Sequence, residues 1–191
     1  MSRLLKAVSV PGLALLAACG QEAAYPTQQD QLAKMNVDQV IYGLDHVITN
    51  AGVRKANLHG DTAYFRDADS RVDLKGVKLD FYNETTGATS GTLTSKTGKY
   101  DMRTGAMTAT GGAVLTLQGD KGPRVITSDE LNYDVQGNRI WSTKPTVMTE
   151  NGREVGRGSS FESDAKFQNL TVRNAVGSGP APTSGGGPVR L

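Results

Sequence analysis

A repeated segment in the second half of the chain constrains the fold more than any other feature of the sequence. Residues 92–119 align without a gap on residues 125–152, at a shift of 33 positions, and eight of the 28 pairs are identical. A more degraded copy lies 35 positions earlier and includes Phe65, Val72 and Leu79. Because periods of roughly 20 to 50 residues are typical of stacked supersecondary units, the sequence predicts a fold built from similar units in a row.

The three copies place residues of similar character in three columns. The columns are Phe65/Tyr100/Tyr133, Val72/Met107/Ile140 and Leu79/Val114/Val147. A stack of repeats must bury an apolar face to be stable, so we expect these nine side chains to line the interior. For each of these residues, a role in packing the core explains the apolar side chain as well as a role in binding a ligand does.

Each unit is extended rather than helical. Residues 72–74 and 77–81 alternate apolar and polar side chains, as half-buried strands do. The pairs Thr104–Gly105 and Gly137–Asn138 occupy equivalent places between two short strands, where hairpin turns are expected. With 23 glycines among 191 residues, the pattern predicts an all-β fold of two facing antiparallel sheets of stacked short strands.

The first nineteen residues have the order of a secretory signal. A basic start at Met1–Lys6 is followed by an apolar or small stretch up to Ala18. The ending Leu16–Cys19 resembles the lipobox of bacterial lipoproteins, which implies a signal peptide over 1–18 and lipidation of Cys19. Two or more acyl chains hold a protein stably at a membrane. An ordinary cleaved signal with a chance cysteine, or a buried helix, is the alternative.

Composition divides the rest of the chain into three parts. Residues 19–36 are polar and lack strand alternation, so we read them as a lipidated tether with one weak helical turn. Residues 177–191 contain five glycines and three prolines and bury too little apolar surface to offset the entropy of ordering. We therefore predict a folded unit over 37–176 and a disordered tail over 177–191.

The second repeat resembles the OstA-like repeat of lipopolysaccharide transport proteins. It runs from Ser128 through Tyr133 and a turn to Ile140, and its last strand ends at Val147. Residues 53–65 resemble the opening strands of LptC-like members of this group, and residues 154–163 resemble their closing segment. The resemblance spans about 40–172, most of the folded unit.

This resemblance implies a twisted open β-jellyroll whose apolar interior receives the acyl chains of lipopolysaccharide. The nine column residues are then the candidate lipid-binding residues. The resemblance also implies a position between an inner-membrane ABC transporter and a periplasmic bridge protein. Neighbours would join by edge-strand pairing, because unpaired strand edges invite strand addition. The docking edges would be residues 37–49 and 167–172, unless the tether or the tail caps them.

The anchor departs from the family pattern. The best-known members carry a transmembrane helix that takes part in the transporter, whereas this chain has a lipobox in that place. A lipid anchor keeps a domain at a membrane but does not insert between permease helices. We expect a periplasmic, membrane-anchored lipoprotein, at the inner membrane if the transport role holds; the outer membrane stays open.

Catalytic and metal-binding patterns are absent from the sequence. The paired carboxylates Asp67 and Asp69 lie in a polar turn, and His46 and His59 stand apart from any nucleophile. A single cysteine forms no Cys/His metal cluster, and a net charge of +2 is too small to indicate a nucleic-acid partner. We expect a non-enzymatic protein with no cofactor. The alternative to a lipid carrier is a structural or adhesive β-solenoid lipoprotein of the cell surface with a filled core.

Overall fold

A computed structural model describes residues 27–118, 122–177 and 189–190. The predicted signal peptide and Cys19 lie outside these residues. The described part contains one α-helix, a short 3-10 helix at Asp67–Asp69 and twelve strands. Their bounds are α1 Gln28–Met35, β1 Gln39–Asn50, β2 Val53–Arg66, β3 Arg71–Tyr82, β4 Thr89–Asp101, β5 Met107–Leu117, β6 Arg124–Asp134, β7 Arg139–Ser142, β8 Thr146–Glu150, β9 Arg153–Gly158, β10 Ser160–Asp164, β11 Leu170–Arg173 and β12 Val189–Arg190.

All twelve strands belong to one antiparallel sheet that divides at β6. The order is β1-β2-β3-β4-β5-β6-β7-β10-β11-β12, and β8 and β9 branch from β6. Residues 132–134 of β6 pair with β7, whereas residues 124–128 pair with β8. The all-β open jellyroll is therefore confirmed. Its two facing sheets are two halves of one sheet, and its first six strands have 11 to 14 residues rather than being short.

The repeat predicted from the sequence is a hairpin unit. Asp101 ends β4, and its carboxylate accepts hydrogen bonds from the backbone N–H groups of Arg103 and Thr104, both at 2.9 Å. Asp134, 33 residues later, accepts the corresponding bonds from Gln136 and Gly137 at 3.0 Å. A carboxylate that satisfies the N–H groups of a turn stabilises it locally. Both turns expected from the sequence are thus confirmed.

The long strands bend near their midpoints, along a line that we call the corner. In β3, Val72 and Leu74 face the interior before Gly76, and Val77 and Leu79 face it afterwards, so the alternation shifts by one residue. Gly43 in β1 and Gly111 and Gly112 in β5 also have positive φ angles. The strands between them carry charged residues at the corner: Asp61, Lys96 and Asp129. Because glycine adopts positive φ without steric cost, the alternate strands can bend there.

The corner divides the sheet into two walls. The first wall contains residues 62–66, 71–75, 97–101, 107–110 and 130–134, together with β7, β10 and β11. The second wall contains residues 53–60, 77–82, 89–95, 113–117 and 124–128, together with β8 and β9. Short interruptions between strands, at residues 143–145 and at Ser159, separate β7 from β8 and β9 from β10 and continue the corner.

The two walls enclose a single core. Twenty-five buried apolar side chains of the described residues form one cluster to which both walls contribute. Leu58, Leu93, Leu115 and Ile126 of the second wall and Leu74, Leu131 and Ile140 of the first wall are among the largest of its fully buried members. Burial of this apolar surface is the main force that holds the walls together.

Two of the nine residues predicted for the interior lie on the outer face. Val114 is half-buried between the buried Ala113 and Leu115, and it pairs across strands with the exposed Thr94 and Thr127. Val147 is likewise half-buried beside the buried Met148. In β3, Val72 and Leu79 are seven residues apart and still face the same side, because the alternation of inward and outward side chains shifts by one residue at the corner. In β5 the bend takes up both Gly111 and Gly112, and the alternation continues unshifted.

The two chain ends also differ in part from expectation. Residues 28–35, within the predicted tether, form the eight-residue helix α1 rather than one turn. At the other end, β12 pairs with Thr171 and Val172 of β11. The remainder of the predicted tail beyond Gly177 lies outside the described residues.

Candidate functional site

The interior between the walls is the candidate lipid-binding site. Seven of the nine predicted residues lie in it, namely Phe65, Val72, Leu79, Tyr100, Met107, Tyr133 and Ile140. Phe65 is half-buried and the other six are at most 5% exposed. These side chains form one continuous apolar surface that also includes Phe81 and Leu93. In this conformation the side chains pack against one another, so the interior is filled.

Three aromatic rings pack together where the β3–β4 turn of the second wall approaches the β10–β11 turn of the first wall. Phe81 of the second wall makes edge-to-face contacts with Tyr133 of the first wall, at 5.1 Å between ring centroids, and with Phe167, at 5.4 Å. Burial raises the pKa of the Tyr133 hydroxyl, as does the nearby charge of Asp134. Tyr133 was expected inside. The role of Phe167 was missed, because it lies in a polar run, Ser163–Gln168, with no alternation.

Opposite the corner, hairpin turns of the two walls meet along a line that we call the seam. Near its carboxyl end, Glu84 of the β3–β4 turn binds Lys55 of its own wall at 2.7 Å. Lys166 of the β10–β11 turn approaches the same carboxylate from the first wall, at 3.8 Å. The hydrogen bond from Lys55, with the charges of both lysines, lowers the pKa of Glu84. Here the Lys166–Glu84 ion pair and the contact between the rings of Phe81 and Phe167 connect the two walls.

The amino-terminal end of the seam is closed by polar contacts. Nε2 of His46 and the hydroxyl of Tyr100 form a hydrogen bond of 3.1 Å between β1 and the first wall. The side-chain amide of Asn50 donates to the carbonyl of Val135 at 3.2 Å. A cleft of about 280 Å³ lies between these groups and the β4–β5 turn. His46 therefore has a structural partner in the seam.

A second groove lies outside the interior, between the end of α1 and the outer face of the first wall. It has a volume of about 500 Å³, and Met35, Val37 and Tyr64 form part of its lining. Lys75 and Lys99 also line it. The helix of the predicted tether therefore lies next to the folded unit.

The remaining polar candidates do not form a reaction centre. Asp67 and Asp69 are exposed in the 3-10 turn, as expected. The imidazole of His59 makes polar contacts with Asp45, at 3.4 Å, and with the carbonyl of Leu44. Trp141 lies opposite in phase to the buried Ile140, and the guanidinium of Arg139 stands 4.5 Å from its ring centroid. Among the described residues, none of the groups of His, Cys, Asp and Glu could hold a metal ion.

The described sheet has edges at β1 and at the β11 end, and a third edge at β9, which ends the branch from β6. Within the described residues β1 pairs only with β2, and its side chains Tyr42 and Val47 are 79% and 50% exposed. β11 bears β12 along two residues only. The helix in the described part of the chain is too short and too polar to cross a bilayer. Whether the β1 and β11 edges dock other proteins stays a prediction.

Comparisons with known proteins give a family and similar solved structures. The family model for lipopolysaccharide-assembly proteins, LptC and LptC-related, matches residues 7–178. Among solved structures, a match is the crystal structure of LptH, the LptA homologous periplasmic component of the conserved lipopolysaccharide transport device from Pseudomonas aeruginosa. It is 18% identical, covers 71% of this chain and 93% of that chain, and has a TM-score of 0.48. Comparison with curated protein sequences gives no significant match.

Proposed function

The chain belongs to the LptC-related family of lipopolysaccharide-assembly proteins, and on that premise we propose that its folded unit is a non-enzymatic carrier that shields the acyl chains of lipopolysaccharide in the periplasm. It receives lipopolysaccharide from an inner-membrane ABC transporter and passes it to a periplasmic bridge protein. Cys19 carries the lipid anchor that keeps the carrier at the membrane.

The continuous apolar surface shared by the two walls supports this proposal most directly. Transfer of hydrocarbon from water to an apolar surface is favourable by about 0.8 kcal/mol for each methylene. A site for acyl chains therefore needs apolar lining more than it needs polar groups. Leu79, Met107 and Ile140 provide such lining on both walls.

Since the interior is filled, lipid entry requires the walls to separate. Strands β2 to β6 run through the corner from one wall into the other, whereas the described contacts across the seam are made by side chains. Separation along the seam breaks few polar contacts and leaves the strand pairing intact, and the acyl chains replace the apolar contacts between the walls. The carrier therefore opens at the seam and keeps the corner closed.

The sheet edges provide the means of handover. β1 presents unpaired backbone groups at one end of the described sheet, and β11 is covered over only two residues at the other. Edge strands of this kind add a strand from a partner. A partner at each edge would extend the apolar interior from one protein into the next.

Photo-crosslinking in cells tests the carrier function. A photoreactive amino acid at Met107, which faces the interior, is expected to capture lipopolysaccharide. The same probe at Val114, on the outer face of the same strand, or at Asp67, in the exposed turn, is expected to capture none. Thermal melting of each variant checks that it is folded. Equal capture at all three positions, or capture at none by folded proteins, would contradict the carrier.

The filled interior also supports a second candidate, a structural or adhesive surface lipoprotein that binds no lipid. Depletion of the protein separates the two functions. Loss of a carrier causes lipopolysaccharide to accumulate at the inner membrane, whereas loss of a structural lipoprotein leaves its distribution unchanged.

A further inference from the structure

The ring of Phe167 occupies part of the interior that the proposed carrier would offer to hydrocarbon. Phe81, Gly91 and Leu117 form one cross-strand row on the inner face of the second wall, close to the seam. Phe167 comes from the β10–β11 turn of the first wall, lies over Gly91 and contacts the ring of Phe81. The row is therefore covered by a residue from across the seam.

Gly91 provides the space that the ring needs. A Cβ atom at this position would lie 3.1 Å from Cε2 of Phe167 and 2.8 Å from Cδ2 of Leu117. Real Cβ atoms do not approach carbon atoms as closely as the second distance, because the contact is inside the van der Waals minimum. The φ angle of Gly91 is not positive, so its backbone does not itself require glycine. The absence of a side chain at Gly91 leaves room for the ring of Phe167.

The turn that carries Phe167 is held within the first wall by hydrogen bonds to the carboxylate of Asp164, but its polar contact with the second wall is weak. Phe167 has a φ angle of +58°, which is sterically unfavourable for a residue with a side chain. The strands on either side, β10 and β11, have only five and four residues. Lys166, beside Phe167, makes the 3.8 Å ion pair to Glu84 with a side chain that is 54% exposed, and such pairs contribute little.

Two buried hydroxyls near this turn also make the closed state less stable. Oγ of Ser90, next to Gly91, and Oγ of Ser163, just before the turn, are buried with no hydrogen-bond partner in the described structure. A buried polar group without a partner costs free energy. The closed state at this place therefore includes the cost of two unpartnered hydroxyls.

We propose that Phe167 is a displaceable plug, whose ring fills the inner row Phe81–Gly91–Leu117 until a lipid acyl chain takes its place. This inference rests on the proposed carrier function. When the β10–β11 turn moves away, the ion pair between Lys166 and Glu84 breaks and the ring leaves the row. The vacated space is apolar on both sides and accepts a saturated chain. The plug keeps the empty carrier from exposing an open apolar groove to water.

The first test compares two aromatic truncations in the full-length protein, reconstituted in lipid nanodiscs and titrated with fluorescently labelled lipopolysaccharide. Phe167→Ala removes the plug and is expected to lower the Kd about tenfold, because binding no longer includes the cost of displacing the ring. Tyr82→Ala removes an outer-face ring that stacks on Arg54 next to the same row, and its Kd is expected to equal that of the wild type. Unchanged or weaker binding by folded Phe167→Ala would overturn the plug.

The second test uses two lysines that share one carboxylate. Lys166→Gln removes the contact of Glu84 across the seam, whereas Lys55→Gln removes its contact within the second wall. Lys166→Gln is expected to speed lipopolysaccharide association several-fold, and Lys55→Gln is expected to leave it unchanged. Equal effects of both substitutions would contradict the plug. If the wild type and every variant fail to bind lipopolysaccharide, the proposed function itself fails; binding by all with equal affinity and rate rejects the plug alone.

Discussion

Gly76 lies beneath the side chain of Asp61, so a methyl group on Gly76 would overlap the Asp61 carboxylate. The two residues face each other across β2 and β3 at the corner, where both strands shift their alternation. The positive φ of Gly76, +62°, bends β3, and the absence of a side chain leaves room for the charged group above it. The bend of β3 therefore combines a positive φ with a close approach between neighbouring strands.

Substitution of Gly76 should therefore be among the most damaging at the corner. We expect Gly76→Ala to lower the free energy of unfolding by about 3 kcal/mol, from an unfavourable φ together with steric overlap. Gly112→Ala is the matched control, because Gly112 has a φ of +84° and open space around it. It should cost only about 1 kcal/mol. Urea denaturation measures both, and equal losses would show that overlap with Asp61 is unimportant.

The corrected third column gives a second prediction. Leu79 is fully buried, so Leu79→Ala should lower the free energy of unfolding by about 3 kcal/mol. Val147→Ala, at the equivalent repeat position on the outer face, should lower it by less than about 1 kcal/mol. Chemical denaturation of both variants checks the difference. Similar losses would mean that Val147 faces the interior, as the sequence alignment predicts, and not the outer face.

The Asp101 turn predicts a loss of stability in acid. Backbone hydrogen bonds, first from Thr104 and then from Arg103, lower the pKa of Asp101 below its ordinary value of 3.8. A carboxyl group with a depressed pKa stabilises the fold above its ordinary pKa, and this stabilisation is lost as pH falls through the lowered value. Asp101→Asn accepts the same bonds but does not titrate.

Thermal melting of both proteins measures this effect. The Tm of the wild type relative to Asp101→Asn should fall between neutral pH and about pH 2.5. Asp101→Ala, which removes the acceptor, should have a lower Tm than either at neutral pH. A wild type and Asp101→Asn that melt with a constant difference across this range would exclude the effect.

The predicted anchor can be tested at a single atom. Cys19→Ala removes the thiol that a lipoprotein signal would modify, and we expect the variant to be recovered in the periplasmic fraction instead of the membrane fraction. Cell fractionation and immunoblotting provide the measurement. Ser9→Ala, in the same predicted signal, should leave the wild-type distribution unchanged. Retention of Cys19→Ala in the membrane would contradict the anchor.

The repeat made most of the fold predictable, because it reports paired strands and their turns directly. Asp101 and Asp134 occupy equivalent positions in the sequence, and they cap equivalent turns in the structure. Pairing within a hairpin is local, so its signal survives in the sequence. The face on which Val114 lies was not predictable in this way. It depends on whether the bend at the corner contains one residue, as in β3, or two, as in β5.

The site was predictable where the lining comes from the repeats and not where it comes from outside them. Met107, Tyr133 and Ile140 lie inside because strand alternation determines their facing. Phe167 lies in a short turn between two charged or polar stretches, and its burial results from the approach of the opposite wall. Contacts between distant segments of this kind leave no periodic signal.

Because each of the strands β2 to β6 contributes to both walls, loss of one hairpin would shorten the two walls equally. The cross-section would stay the same while the molecule became shorter along its axis. Duplication of a 33-residue unit would have the opposite effect, and would lengthen the molecule without any redesign of its existing contacts. Because the strands are bent, the protein can become longer or shorter by whole repeats while the width of its interior stays the same.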